Sequence, residues 1–327
     1  MTEKEKALKE AMNEIRKKHG DASILEMNDE MDFKVEAIPT GCFALDEAIG
    51  CGGLPRGRII ELFGQESSGK STLSMFFMAQ VQRAGGKAAL IDAEFAFSGD
   101  YAKSVGVDVN DLVVSQPGTL EEAVDVIDAL VRSHAVDLIV VDSVASLVPR
   151  SELESDELLK DSMAVQARLM GKALRILTGS ISQSKTVVIF INQVREKVGV
   201  FYGKKETTPG GKALKFFSSV RIEVAKGEKI SGKDGEQIGN WVKATCVKNK
   251  VGMPFRKAEF ELYYEKGVDL VGAALDYGTD KGIVHKLGNT YSYKDEKLGT
   301  SRDAAKKALG EKTELYEALV KEIVDNP

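Results

Sequence analysis

The sequence predicts an α/β fold with a mostly parallel central sheet, an N-terminal helix–strand arm and a small α+β C-terminal domain. Three observations carry this. From residue 58, short apolar runs alternate with stretches of helical period, the pattern of βαβ units and a largely parallel sheet. After residue 219 the runs alternate apolar and polar without helices between them, which extends the sheet with antiparallel strands. From about residue 270 helices return around a tyrosine-containing segment, "NTYSYKDEK" (289–297).

In chain order, residues 3–19 form a helix, with Ala7, Ala11 and Ile15 on one side among many Lys and Glu. "FKVEAI" (33–38) follows as a short strand. "RIIELFG" (58–64), "KAALIDA" (87–93), "VDLIVVDS" (136–143) and "TVVIFINQ" (186–193) are apolar strands. Helices over 70–84, 119–133 and about 163–178 separate them. Between Val194 and Gly211 no helical or strand period exists, and structureless loops of that length are usually functional or disordered. "VRIEVAKG" (220–227), "NWVKATCVKNK" (240–250) and "AEFELYYEKG" (258–267) are the alternating strands, joined by the polar "EKISGKDGEQIG" (228–239). The division expected is an arm over 1–33, a core over 34–269 and a C-terminal domain over 270–327.

The 327 residues are 43% hydrophobic and 29% charged, as in an ordinary soluble chain. No run approaches 18 apolar residues, and the start "MTEKEKALKE" lacks an apolar signal core, so no membrane span and a cytoplasmic location are expected. Cys42, Cys51 and Cys246 are odd in number and lack metal-ligand spacing, which fits reduced thiols. A net charge of −5 neither predicts nucleic-acid binding nor excludes it, since clustering of basic residues decides.

"GQESSGKS" (64–71) matches G-x-x-x-x-G-K-[ST] between a strand and a helix. Gly64, Gln65, Glu66, Ser67, Ser68 and Gly69 would turn backbone N–H groups toward phosphate oxygens, with Lys70 on the β- and γ-phosphates and Ser71 on Mg²⁺. Thr72 continues the loop into its helix. Asp142 ends "DLIVVD" and is the second carboxylate, placed to hold the Mg²⁺ shell beside Ser71, with Ser143 assisting by hydrogen bonding. Glu94, just past the neighbouring strand, is read as the group that orients or deprotonates water, although spacing alone does not choose between Glu94 and Asp92. Together these residues describe a nucleotide hydrolase using Mg²⁺, and do not give its purpose.

"GQESSGKST", "LIDAEFAF", "LIVVDSVASLVPR", "FINQVREKVGVFYG" and "ETTPGGKALKFFSSVR", in this order and spacing, resemble the bacterial RecA recombinase family. "PTGCFALDEAIGCGGLPRGRI" and "VKNKVGMPF" agree, and the resemblance runs from roughly residue 5 to residue 300. It implies a RecA-like P-loop ATPase core and ATP-dependent assembly of a helical homo-oligomeric filament on single-stranded DNA. It further implies pairing with double-stranded DNA, strand exchange in recombinational repair, and an SOS-type damage response through self-cleavage of LexA-type repressors. Filament-loading proteins are further implied partners, and a membrane is not.

By that resemblance the segment after "INQ" contacts DNA. Residues 194–215 carry Arg195, Lys197, Lys204, Lys205, Lys212 and Lys215 against Glu196 and Glu206, a charge balance suited to a phosphate backbone. Gly199, Gly203, Gly210 and Gly211 allow close backbone approach, and Val198, Val200 and Phe201 are candidate wedges between bases. Gln193, where this loop leaves the sheet, is implied to sense the γ-phosphate. On the helix 163–178, Met163, Ala167, Met170, Leu174 and Leu177 form the core stripe. Arg168, Lys172 and Arg175 form a basic row that is either a solvated face or, by resemblance for Arg168 and Arg175, a DNA contact. The segment 150–162 is acidic, and no DNA contact is assigned within it.

Lys248 and Lys250 resemble residues that reach the γ-phosphate of a neighbouring subunit, and Phe216 an interface side chain; on periodicity alone the lysines are exposed strand residues. The N-terminal helix and strand are expected to dock on the adjacent protomer. Tyr101 matches a position stacking on adenine and Tyr264 another nucleotide-proximal aromatic. "EFAFSGDY" departs from the family pattern: Phe95 replaces His, and Ser98 stands where an Asp meets the adenine amino group, with Asp100 two residues later. Lys281, Lys286, Lys294, Lys297 and Arg302 form either a duplex-capturing patch or a solvated face. The end "VDNP" lacks the acidic tail many members carry, which, for a complete chain, implies no autoinhibition by such a tail. Two other readings remain for the same core. A ring-forming motor is one, without the four-cysteine motif of a RadA-like protein. A non-hydrolysing DNA scaffold is the other, opposed by Lys70, Ser71, Glu94 and Asp142.

Overall fold

A computed structural model of the chain describes residues 2–24, 26, 34–154, 162–196, 206–207 and 210–326. It divides into two compact units, Met1–Lys34 and Val35–Pro327. The first is built on α1 (Glu3–His19). Thr2 and Glu5 form a reciprocal capping box, the Thr2 N–H donating to Glu5 Oε2 at 2.7 Å. Acidic residues sit in the first turn and Arg16, Lys17, Lys18 and His19 in the last, complementing the helix dipole.

The second unit opens with β1 (Ala37–Ile38), α2 (Phe43–Ile49) and β2 (Leu54–Pro55), β1 pairing antiparallel with β2. The strand expected over 33–38 is therefore two residues long. Pro39 ends it and Pro55 limits its partner, because neither can donate to a ladder. Phe33 lies outside the described residues.

The α/β core runs through β3 (Ile59–Gly64), α3 (Lys70–Arg83), β4 (Ala88–Asp92), α4 (Gly99–Val105), β5 (Leu112–Ser115), α5 (Leu120–Arg132), β6 (Leu138–Asp142), α6 (Arg150–Leu153), α7 (Ser162–Ser184) and β7 (Val187–Gln193). The loop after β7 holds β8 (Arg195–Glu196) and β9 (Glu206–Thr207), and α8 (Ala213–Phe217) follows. Then come β10 (Val220–Ser231), β11 (Gln237–Asn249), β12 (Lys257–Tyr263) and β13 (Gly267–Val268). The C-terminal elements are α9 (Leu270–Asp280), β14 (His285–Leu287), β15 (Thr290–Tyr293), β16 (Glu296–Gly299), α10 (Arg302–Glu311) and α11 (Thr313–Asp325).

Among the described residues the main sheet has nine strands, in the order β13-β12-β11-β10-β3-β7-β6-β4-β5. From β10 to β5 every neighbouring pair is parallel, and β11, β12 and β13 add antiparallel pairs. Alternation along each strand builds two cores. Ile60, Leu62, Leu90, Val140, Ile189 and Ile191 pack with α3 on one face, while Ile59, Ile91, Ile139, Val141, Val188 and Phe190 pack with α5 and α7 on the other. A third cluster, including Leu275, Tyr293, Leu309, Leu319 and Ile323, holds the C-terminal elements together. Among the described residues no helix is long and apolar enough to cross a membrane.

Four expectations change. Helix α7 runs on to Ser184, because Ile181 continues the buried stripe of Met170, Leu174 and Leu177 by one more turn. The polar link over 228–239 is largely strand: β10 and β11 form a long hairpin that turns at Gly232–Glu236. The segment 194–211 carries the short antiparallel ladder of β8 and β9. Finally, α2, α4 and β5 are elements too short to show a period in the sequence.

Candidate nucleotide and DNA interface

The strand order brings the carboxyl ends of β3, β7, β6 and β4 side by side, where ligands bind in open α/β sheets. The phosphate loop leaves the end of β3 at Gly64. A Cβ there would stand 2.1 Å from the Val224 carbonyl oxygen and 3.0 Å from Ser68 Oγ, so only glycine fits. Ser67 (φ 57) and Gly69 (φ 93) are both left-handed, which curls the loop into a concavity before α3. At Gly69 a Cβ would also meet Leu262 Cδ2 at 2.5 Å. Ser68 Oγ is buried without a hydrogen-bond partner among the described residues, although the residue is only 3% exposed. An orphaned hydroxyl inside a cradle of N–H groups at a helix N-terminus suits a phosphate oxygen. Gln65, Glu66 and Ser67 form the loop's exposed rim.

Lys70 bends back over the loop, its ammonium donating to the carbonyls of Gly64 at 3.1 Å and Gln65 at 2.7 Å. Burial pushes its pKa down, opposed by the charges of Asp142, Glu94 and Glu66. Asp142 ends β6 and accepts a hydrogen bond from the Ser71 hydroxyl. Burial pushes Asp142 up to about 6; Ser71 and Lys70 oppose the rise, while Glu94 and Asp92 add to it. Mg²⁺ keeps waters and phosphate oxygens as ligands, so Ser71 and Asp142 are a sufficient protein contribution. That fits the absence, among the described residues, of any cluster of three or more His, Cys, Asp or Glu able to cage a metal.

The choice left open between Asp92 and Glu94 now falls on geometry. Asp92 is 3% exposed and accepts from Ala96 N (3.3 Å), Phe97 N (3.1 Å) and Gln116 Nε2 (2.9 Å), so its oxygens hold the β4–α4 turn. Glu94 is exposed, and its Oε1 accepts from the Ser143 hydroxyl at the end of β6. Gln193, the last residue of β7, is the ladder partner of Gly64. Lys70, Ser71, Asp142, Glu94 and Gln193 thus share one edge of the sheet.

Lys248 and Lys250 do not join them. Arg221 pairs with both Glu61 and Lys248, and Lys250 N donates to Ser219 O beside Ile59. Lys250 is level with Ile59 at the amino end of β3, five residues or roughly 16 Å along the strand from Gly64, and Lys248 is level with Glu61, three residues or roughly 10 Å along it. Lys248 donates to the carbonyls of Lys215 at 2.6 Å and Phe216 at 2.9 Å, while Lys250 is exposed. Phe216, 69% exposed, borders a cleft of about 550 Å³ with Gly57, Arg58, Thr178, Ile181 and Lys250.

The two expected nucleotide aromatics are both held by polar partners. The Tyr101 hydroxyl is 2.6 Å from Thr72 Oγ1, tying α4 to the start of α3. The Tyr264 hydroxyl accepts from Gln237 Nε2 (2.6 Å) and Asn240 Nδ2 (2.8 Å), one residue beyond β12, whose Leu262 touches Gly69. Ser98 caps α4 by accepting from Tyr101 N, and Asp100 faces solvent with Lys103 at 3.8 Å.

Of the expected DNA contacts, Arg168, Lys172 and Arg175 are all exposed on α7. Gly210 and Gly211 have positive φ and abut their own chain: a Cβ would stand 2.9 Å from Val144 Cγ1 and 2.6 Å from Ala167 Cβ respectively. This packing runs the start of α8, with exposed Lys212, along residues 167–171 of α7, where Arg168 lies. Arg195 stands in β8 opposite Thr207. Lys197, Val198, Gly199 and Val200, with Phe201, Gly203, Lys204 and Lys205, lie outside the described residues, as does most of the acidic segment 150–162. In the C-terminal patch Arg302 turns inward to Glu261 and Asp276, and Lys281 pairs with Glu47 at 3.0 Å, so neither is a free surface cation.

The RecA N-terminal domain family matches residues 6–269, and the RecA C-terminal domain family matches residues 272–326. The chain belongs to the RecA family. Protein RecA of Lactobacillus acidophilus is 49% identical over 321 residues, 98% of this chain and 88% of the relative. That of Caldanaerobacter subterraneus subsp. tengcongensis is 49% identical over 326 residues, covering 100% and 95%. That of Bacillus subtilis is 49% identical over 325 residues, covering 99% and 92%. As a RecA-family protein the chain is a recombinase of homologous recombination and repair, a DNA-dependent ATPase that binds ATP with Mg²⁺ and assembles into filaments on DNA.

Some residues at this site carry no motif: Gln116, Gln237, Asn240, Glu61 and Arg221. Only Glu61 left a usable signal, as a charged residue inside the otherwise apolar "RIIELFG".

Proposed function

We propose that ATP binds at Gly64–Thr72 and is hydrolysed across a subunit boundary in a filament whose DNA affinity depends on the nucleotide. The observation that supports this is the separation, along β3, of the side chains around the phosphate loop from Lys248 and Lys250. Lys70, Ser71, Glu94, Asp142 and Gln193 lie at the carboxyl end of β3, while Lys250 is exposed level with Ile59 and Lys248, level with Glu61, is turned to the α8 carbonyls of Lys215 and Phe216. Cations turned away from their own loop are suited to a second copy's, where they stabilise charge on the phosphoryl group in transfer. A head-to-tail contact of this kind propagates into a helix.

In this reading Lys70 leaves the Gly64 and Gln65 carbonyls for the phosphates, and Ser68 Oγ finds its partner there. Ser71 and Asp142 would hold Mg²⁺, which would supply charge neutralisation to the phosphates. Glu94, held by Ser143, orients the attacking water. Gln193 reports the γ-phosphate to the loop that follows it, and Arg195, Lys197, Val198, Gly199, Val200 and Lys212 join Arg168 and Arg175 on DNA. Tyr101 and Tyr264 flank the base. Hydrolysis coupled in this way drives strand exchange, and the ATP-bound filament promotes self-cleavage of a LexA-type repressor. The arm over 1–33 serves assembly, residues 34–269 hold both sites, and 270–327 meets duplex DNA.

Steady-state ATP hydrolysis with and without single-stranded DNA, beside Lys70→Ala, tests the reading. Strong stimulation lost in the variant supports it. Turnover indifferent to DNA, with DNA affinity indifferent to ATP, rejects it.

A further inference from the structure

A polar string crosses the apolar sheet beneath α8. Glu61, in β3, is fully buried at 0% exposure. Its Oε1 accepts from Asn192 Nδ2 in β7 at 3.0 Å, and its Oε2 accepts from Arg221 Nε in β10. The Arg221 guanidinium lies 4.5 Å from the centre of the Phe63 ring, two residues along the same face from Glu61. Arg221 pairs across the ladder with Lys248, and Lys248 caps the end of α8 through the carbonyls of Lys215 and Phe216. At the other end, Asn192 Oδ1 accepts from the Gln193 N–H at 3.0 Å. Hydrogen bonds join β7, β3 and β10 through Asn192, Glu61 and Arg221, and join β11 to α8 through Lys248; between Arg221 and Lys248 the link is the ladder pairing and the repulsion of two like charges.

Burying a charged pair in such a sheet contributes little stability relative to apolar side chains of the same volume. What a satisfied polar network does supply is one defined arrangement of its members. Here the members are the residue next to the nucleotide-sensing Gln193 and the lysine that faces a neighbouring subunit. Lys248 also has two alternatives, the α8 carbonyls of its own chain or a phosphate beyond it. It cannot occupy both, so its departure uncaps α8, the element into which the DNA-facing segment returns.

We propose that Glu61 and Arg221 are positioning residues that couple the β7 end of the nucleotide site to Lys248 and the end of α8 through the sheet. The inference rests on the function proposed above and adds a second route from ATP to DNA affinity, separate from the loop itself. Physical coupling of this kind requires a contiguous network with two arrangements; the structure holds one, and Lys248 on a phosphate beyond its own chain is the second that this inference adds.

The test compares the full chain with Arg221→Lys, which keeps the charge but loses the guanidinium's planar fork, and with Asn192→Ala, which cuts the string at β7 and leaves the Glu61–Arg221 pair. Affinity for a fluorescent ATP analogue is measured, then affinity for single-stranded DNA with and without a non-hydrolysable analogue. In both variants nucleotide affinity should stay within about twofold of wild type, whereas the ATP-driven gain in DNA affinity should fall about tenfold, within the usual range of coupling energies. A structural role alone would lower the melting temperature and leave that ratio unchanged. Folded variants with wild-type coupling overturn the inference. Should neither variant fold, amide exchange in the wild-type chain bound to single-stranded DNA decides: the Phe216 and Ser218 amides should lose protection when the analogue is added, and unchanged protection overturns it. A wild-type chain whose DNA affinity ignores ATP would instead reject the function proposed above, so the two failures are distinguishable.

Discussion

Gln193 is the ladder partner of Gly64, so the residue from which the long loop departs stands beside the one that opens the phosphate loop. The following N–H, of Val194, donates to the Gly64 carbonyl at 3.3 Å. A change at the phosphates therefore has a one-residue path into the loop. Replacing Gln193 by Ala should leave ATP affinity within about threefold and abolish most of the ATP-driven gain in DNA affinity, itself on the order of 5- to 150-fold for coupled sites. Fluorescence anisotropy with labelled single-stranded DNA measures it, and an unchanged ATP dependence would exclude the path.

Glu94 and Asp92 should separate cleanly by mutation. Glu94→Gln removes an exposed carboxylate whose hydrogen-bond partner among the described residues is Ser143, so stability should hold while kcat falls by about 10²–10⁴. Asp92→Ala strips the acceptor from two backbone N–H groups and Gln116, and should cost about 2–3 kcal/mol of stability. Urea unfolding beside steady-state kinetics distinguishes the two, and the assignment fails should the losses appear the other way round.

The C-terminal elements are fastened to the core by an ionic cluster. Glu261 of β12, 7% exposed, accepts both Arg302 Nη atoms at 3.1 Å and Lys306 Nζ at 2.8 Å; Arg302 also meets Asp276, and Lys306 meets Asp269. Arg302→Met should destabilise the chain by about 3 kcal/mol, because it leaves Glu261 buried with one of its cations gone. The same cluster sets an acid limit. Burial works against the charge on Asp269, but the Lys306 hydrogen bond and charge more than offset it and hold the pKa below the usual value. A carboxyl depressed in the folded state contributes stability that is complete above about pH 4 and is lost as pH falls through its folded value. Melting curves below pH 4 should show that loss in wild type, and a smaller one in Lys306→Met.

Arg168 and Arg175 are exposed on the face of α7 along which α8 begins. If each neutralises one phosphate, replacing both by Gln should reduce the slope of log affinity against log salt by about 1.4 for single-stranded DNA. A parallel loss of affinity at every salt concentration would show that neither charge meets a phosphate.

The sequence by itself determined the phosphate loop, the carboxylate Asp142 that follows β6, the alternation of strands and helices, and the family. Each depends on a local signal: glycine, lysine and serine at fixed spacing, or an apolar period along one element. It left Asp92 and Glu94 undecided, because two carboxylates two residues apart are equivalent until the chain turns one inward and the other out. It could not show that Lys250 stands level with Ile59 and Lys248 with Glu61, away from Gly64, since strand order and register are decided by pairing between residues far apart in the chain. The string from Asn192 through Glu61 and Arg221 to Lys248 was hidden for the same reason. Its members are 131 and 160 residues apart along the chain, and only the packing of β7, β3, β10 and β11 into one sheet makes them neighbours.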